Sequence, residues 1–187
     1  MIKNKTVILT GAPFSGKTTL LKYFKKKGYK IIEESARFLI NYNRRNNINI
    51  LPWIDQDKFE RLCFKHQIKK EKIIDTLKTD KPVIMDESVI DFAAYYLIRG
   101  LKIPSYLQKG IDKSNHNYIF ILEVLPNYKK DKNRPWTIEQ IKDLQQNLIN
   151  LYSNHYPANK IHKIPALSVE KRDRKSTRLN SSHSLPS

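Results

Sequence analysis

Residues Gly11-Ala12-Pro13-Phe14-Ser15-Gly16-Lys17-Thr18 carry the G-x-x-x-x-G-K-[ST] pattern of a phosphate-binding loop. A helix opening near Gly16 would aim unpaired backbone N–H groups and a positive dipole end at the loop, an arrangement that suits a polyphosphate. Pro13 has no N–H, so the donors are expected from Phe14, Ser15, Gly16, Lys17 and Thr18. The Lys17 ammonium would reach the β- and γ-phosphates, and the Thr18 hydroxyl would be a Mg²⁺ ligand. The flanks are those the motif requires. Residues 6–10 form a β-branched apolar run, and residues 19–24 show helical spacing that stops at Gly28.

Two further places hold carboxylates where an α/β sheet would present them to a ligand. Tyr29-Lys30-Ile31-Ile32 reads as a short strand ending in Glu33-Glu34, and Val83-Ile84-Met85 as one ending in Asp86-Glu87. Asp86 stands where a Mg²⁺-holding acid would sit; the plainer reading is an N-cap for the helix from Ser88. Glu34 could take a proton from an acceptor hydroxyl, or be a surface acid near a helix start. Arg37, one turn on, could pair with Glu34 or touch substrate phosphate. Arg134 lies in a polar, basic loop over residues 125–135, where a guanidinium could close over the phosphates or simply be solvated.

The elements that must position these groups alternate along the chain. Ser35 is expected to cap a helix containing Ala36, Phe38, Leu39 and Ile40, and residues 41–50 read as a helix end and loop. A long helix is expected over residues 54–77, walling the acceptor side of the cleft, and another over about 88–99, closed by Gly100. Residues 101–117 show no clear pattern. Strands follow at residues 118–122 and 161–164, with a helix capped by Thr137 over 137–152 between them and a last helix starting at Ser168. This order predicts a three-layer α/β domain with a mainly parallel sheet flanked by helices, over residues 1–172. Residues 173–187 shift to Ser and Arg, resemble the translation of a sequencing adapter, and are expected to be disordered, the last helix being cut short.

The formal charge of +17 suggests a nucleic-acid partner. Its make-up argues against one. Of the 35 basic residues 26 are lysine, beside 23 Ile and 15 Asn, as AT-rich codons would give, and no RNA-binding aromatic motif or helix-turn-helix is legible. The single cysteine, Cys63, excludes an internal disulfide and a Cys-rich zinc site, and its apolar neighbours make it a packing residue. No secretory or membrane-spanning run is present, so a cytoplasmic protein is expected. Oligomeric state is not legible.

Taken together, Gly11 through Thr18 with Thr19, Glu34-Ser35-Ala36-Arg37, Gln67, Met85-Asp86 with Asp91 and Tyr95, Arg134 and Ser168-Val169-Glu170-Lys171-Arg172 make the chain resemble the P-loop AAA-type domain of NadR-like ribosylnicotinamide kinases. The resemblance covers about residues 5–172. It implies a nucleoside-kinase-like fold, ATP and Mg²⁺, a lid bearing Arg134, and a small hydroxyl acceptor near Glu34 and Gln67. One departure stands out. Many relatives carry Asp-Arg-Gly where this chain has Asp86-Glu87-Ser88, so an acid replaces a basic phosphate contact. Two readings follow: a kinase transferring the γ-phosphoryl of ATP to a nucleoside-like acceptor, or an ATP-hydrolysing switch or regulator in which Glu87 positions water.

Overall fold

The computed structural model describes residues 4–126, 136–167 and Lys171. Arg134, most of its loop, the start of the last helix and the tail lie outside the described residues. Five strands form one sheet in the order β2-β3-β1-β4-β5. They are β1 (Thr6–Thr10), β2 (Ile31–Ile32), β3 (Val83–Asp86), β4 (Tyr118–Leu122) and β5 (Ile161–Ile164), and every neighbouring pair is parallel. The helices are α1 (Lys17–Lys26), α2 (Ser35–Arg45), α3 (Gln56–Ile73), α4 (Val89–Ile98), α5 (Ser105–Asp112) and α6 (Ile138–His155).

The central strands β1 and β4 are apolar on both faces because helices cover both. Val7 and Leu9 of β1 pack with Leu20, Leu21 and Phe24 of α1 on one side. Ile8, between them, points the other way and joins Met85 with the apolar residues of α4, α5 and α6. A smaller cluster of Leu39, Phe59 and Cys63 fastens α2 to α3. Cys63 is thus a packing residue, as expected, and burial pushes its thiol up to about 12. Among the described residues no helix is long and apolar enough to cross a membrane.

Local signals decide where the helices begin. Thr137 and Gln140 form a reciprocal capping box at the start of α6, and Ser88 and Asp91 form another at the start of α4. Ser35 behaves differently from expectation: Glu34 is the N-cap residue of α2, with no side-chain cap bond, and the Ser35 hydroxyl donates to Gln67 Oε1 at 2.8 Å. A buried acceptor on α3 has taken the hydroxyl that would otherwise cap. The expected long helix ends at Ile73 and tightens into a 3₁₀ turn over Ile74–Thr76. The segment without a clear sequence pattern contains α5, which buries Leu107 and Ile111 and brings Gly110 against the Phe64 ring, where a Cβ would stand 2.6 Å from Phe64 Cε2.

One buried network ties the α4–α6 face of the sheet to the site. Asp91 accepts from Thr10 Oγ1, from the Tyr152 hydroxyl and, at 2.9 Å, from the Ser88 N–H, while Tyr152 and Ser88 hydroxyls lie 2.8 Å apart. This joins β1, α4 and α6 behind the phosphate loop. Tyr152→Phe removes one donor from a buried carboxylate and is expected to cost about 1–3 kcal/mol of stability, lowering Tm by roughly 2–10 °C. Thermal unfolding checks this; an unchanged Tm would show that the contact carries no stability.

Candidate active site

The phosphate loop leaves β1 at Gly11, whose φ of 143° only glycine adopts without strain, and where a Cβ would lie 2.5 Å from the Leu122 carbonyl oxygen. Phe14 at φ 66° and Gly16 at φ 80° complete the curl. Gln145 of α6 braces it, accepting from the Ala12 N–H at 2.8 Å and donating to the Leu122 carbonyl at 3.2 Å. Gly16 caps α1 without a side-chain bond, and the N–H groups of Gly16, Lys17 and Thr18 have no acceptor among the described residues. The Ser15 N–H, expected among the donors, bonds the Ala12 carbonyl at 3.2 Å within the turn. The remainder is an anion seat of the kind the motif demands.

The parallel register sets β3 directly beside β1, Leu9 opposite Asp86, so the β3 acids emerge next to the loop. Lys17 donates to the Gly11 carbonyl and lies 3.6 Å from Glu87 Oε1. Glu87 holds the left-handed conformation, φ 70°, with its N–H on the Leu9 carbonyl at 3.1 Å. Burial, reinforced by the Glu34 charge and partly offset by Lys17, pushes the Glu87 carboxyl well above the usual range. Burial likewise raises Asp86 to about 6, against the pull of Lys17. The competing N-cap role for Asp86 is not taken up, because Ser88 caps α4, and Asp86 Oδ1 is buried without a hydrogen-bond partner among the described residues.

Glu34 arrives from the other side, at the β2–α2 junction, with Arg37 at 3.5 Å. Phe14, Ser15, Gly16, Lys17, Thr18 and Thr19 line a cleft of about 780 Å³ together with Glu34, Arg37, Asp86, Glu87, Tyr95 and Trp136. The fold therefore gathers every described candidate except Gly11, which shapes the loop from behind, and Gln67. Gln67 is buried behind the cleft wall: it accepts from Ser35, its amide donates to Glu71 at 3.1 Å, and it lies 3.5 Å from the Glu87 carbonyl. Lys70, one turn along α3, was not singled out by sequence reasoning. Its ammonium donates to the Glu33 carbonyl and, at 3.0 Å, to Ser35 Oγ, pinning the Glu34 corner. Its spacing of three residues from Gln67 was the available signal, easily lost among 26 lysines.

These features define a P-loop domain: a glycine loop between β1 and α1, with acids at two neighbouring strand ends of a parallel sheet. The chain belongs to the AAA domain family, which matches residues 6–172. No curated protein matches the sequence significantly. Among solved structures it is similar to NadR protein in complex with NAD and AMP-PNP (TM-score 0.69, 16% identity, 98% of this chain and 51% of that one). A NadR structure in complex with NR gives TM-score 0.63 at 16% identity over 86% of this chain and 45% of the other, so the chain spans about half the length of the NadR proteins. Deoxyadenosine kinase from M. mycoides, with the products dCMP and dCDP, gives TM-score 0.67 at 16% identity over 94% and 99% of the two chains. At such identities the likeness establishes the fold, which is that of P-loop nucleoside kinases.

A half-buried acid on α3, Glu71, gives a stability prediction. Burial raises Glu71 from 4.5 to about 7, so the folded chain binds more protons than the unfolded one between those values. Stability from Glu71 is full below its unfolded pKa and is lost as pH rises through about 7; Asp86 acts in the same sense around 6. The nucleotide-free protein is expected to lose Tm between about pH 5 and pH 8, and Glu71→Gln, neutral throughout, to flatten the slope. A wild-type Tm that rises across this window would contradict it.

Proposed function

We propose that the chain is a Mg²⁺-dependent phosphotransferase that moves the γ-phosphoryl of ATP to the hydroxyl of a small, nucleoside-like acceptor. The observation that carries this reading is the placement of Glu34 and Asp86 in one cleft with the phosphate loop, from two different strand ends. Pure nucleotide binding needs no carboxylate there, and acids beside a triphosphate are costly unless a metal or a proton transfer uses them.

The donor residues Asp86 and Thr18 fit Mg²⁺: a buried, unpartnered carboxylate oxygen and a hydroxyl share the cleft. Among the described residues no group of three His, Cys, Asp or Glu side chains gathers as a metal cage, consistent with an ion completed by phosphate oxygens and water. When bound there, Mg²⁺ would neutralise charge on the β- and γ-phosphates. Lys17 and the N–H groups of Gly16, Lys17 and Thr18 would hold the triphosphate. Glu34 would accept the proton of the attacking hydroxyl, oriented by its 3.5 Å pair with Arg37. Arg134 would close over the transferring group, and Tyr95 and Trp136 would exclude water around it.

Hydrolysis with Glu87 as the water-positioning acid is the second reading, since Glu87 also faces the cleft. Its side chain is held by Lys17, which favours a part in nucleotide binding over one in activating water. An assay with ATP and a panel of nucleosides and nucleoside monophosphates, following phosphorylated acceptor and free phosphate together, separates them. Phosphorylated product is expected with at least one acceptor, and Glu34→Gln is expected to lower kcat by about 10²–10⁴-fold with nucleotide affinity retained. Brisk phosphate release with no phosphorylated acceptor would sink the proposal.

A further inference from the structure

A second groove, of about 420 Å³, opens between α1 and α2 and joins the cleft at Thr18, Glu34, Arg37 and Asp86. Its walls differ in chemistry from the cleft. Phe38 and Tyr42, one turn apart on α2, are 51% and 48% exposed and stack with centroids 6.0 Å apart and planes 17° from parallel. His66 of α3 continues the ladder, 4.9 Å from Phe38 and 8° from its plane. Exposed aromatic rings held parallel by a neighbouring ring form a rigid platform for a planar group.

The cations of the groove do not all have partners. Lys25 is paired with Glu33 at 3.2 Å and Arg37 with Glu34 at 3.5 Å. Lys22 and Arg45, both exposed on the groove walls, make no ion pair among the described residues. Two uncompensated cations beside an aromatic platform complement a nucleobase joined to a phosphate monoester, whose charge is about −1.5 to −2. A second copy of this chain is a poor occupant, because its own charge of +17 would repel the groove.

We propose that the α1–α2 groove holds the phosphate-bearing end of the acceptor, so that the acceptor is a nucleoside monophosphate with a free hydroxyl, not an unphosphorylated nucleoside. Naming the ligand an acceptor rests on the phosphoryl-transfer reading; the existence of the site does not. The acceptor's phosphate lies against Lys22 and Arg45, its base against Phe38 and Tyr42, and its hydroxyl reaches Glu34 at the junction with the cleft. In transfer, the hydroxyl oxygen forms a bond to the γ-phosphorus, the bridge to the β-phosphate breaks, Glu34 takes the hydroxyl proton and ADP leaves.

The test is calorimetric binding of four nucleosides and their 3′- and 5′-monophosphates to the full chain at low salt, with transfer from ATP measured in parallel. At least one monophosphate is expected to bind about tenfold or more tightly than its nucleoside. The double variant Lys22→Glu/Arg45→Glu is expected to erase that difference, with an unchanged Tm reporting an intact fold, and Tyr42→Ala is expected to weaken the monophosphate and its nucleoside alike. Equal affinities for nucleosides and monophosphates, or a preference that survives in the double variant, would overturn the proposal. So would binding of a single-stranded oligonucleotide through Lys22 and Arg45 with no binding of any mononucleotide. Charge-dependent monophosphate binding without product would uphold the groove and sink the transfer reading, so the two failures are distinguishable.

Discussion

The buried ion pair between Lys17 and Glu87 is the contact on which the site depends. Lys17 must be available to phosphate, yet without a ligand it is largely buried and would be costly alone. Glu87 and the Gly11 carbonyl hold the Lys17 ammonium at the phosphate loop. Burial and the nearby Glu34 charge still push the Glu87 carboxyl well above its usual range, Lys17 offsetting them only in part. In the proposed reaction, nucleotide binding would exchange partners at Lys17, and the acids left behind would need a metal or a proton.

Backbone geometry enforces that crowding. The β1–β3 register brings the end of β3 beside the loop, and the left-handed turn at Glu87 directs the chain back toward Lys17. Asp91, Tyr152 and Thr10 lock the turn from behind, while Lys70, Gln67 and Ser35 lock the Glu34 corner. Two polar networks, which meet where the Gln67 amide reaches the Glu87 carbonyl, thus hold the two acids in one cleft. A positive φ at a non-glycine residue is a strained choice that persists only where the surroundings over-determine it.

What was legible in the sequence was local. The glycine loop, the apolar run of β1, and the Thr137 capping box each depend on residues a few positions apart, and each stands where the pattern places it. The parallel sheet followed from the alternation of strands and helices. The parts not legible depend on long-range contacts. Ser35 reads as a cap until α3 supplies Gln67 as a better partner, and α5 has too few turns to establish a period until Phe64 packs on Gly110. Lys70 and the α1–α2 groove were hidden for the same reason. A lysine among many gives no signal, and a groove between helices built on either side of β2 exists only once the chain has folded.

The most direct measurement is on Glu87→Gln, following ATP affinity and both products in one assay. If Glu87 serves to hold Lys17 ready for phosphate, the glutamine should leave acceptor phosphorylation intact and ATP affinity no weaker, because burial already drives this carboxyl toward its neutral form. Loss of all turnover with ATP still bound would contradict the account and make Glu87 the acid that activates water.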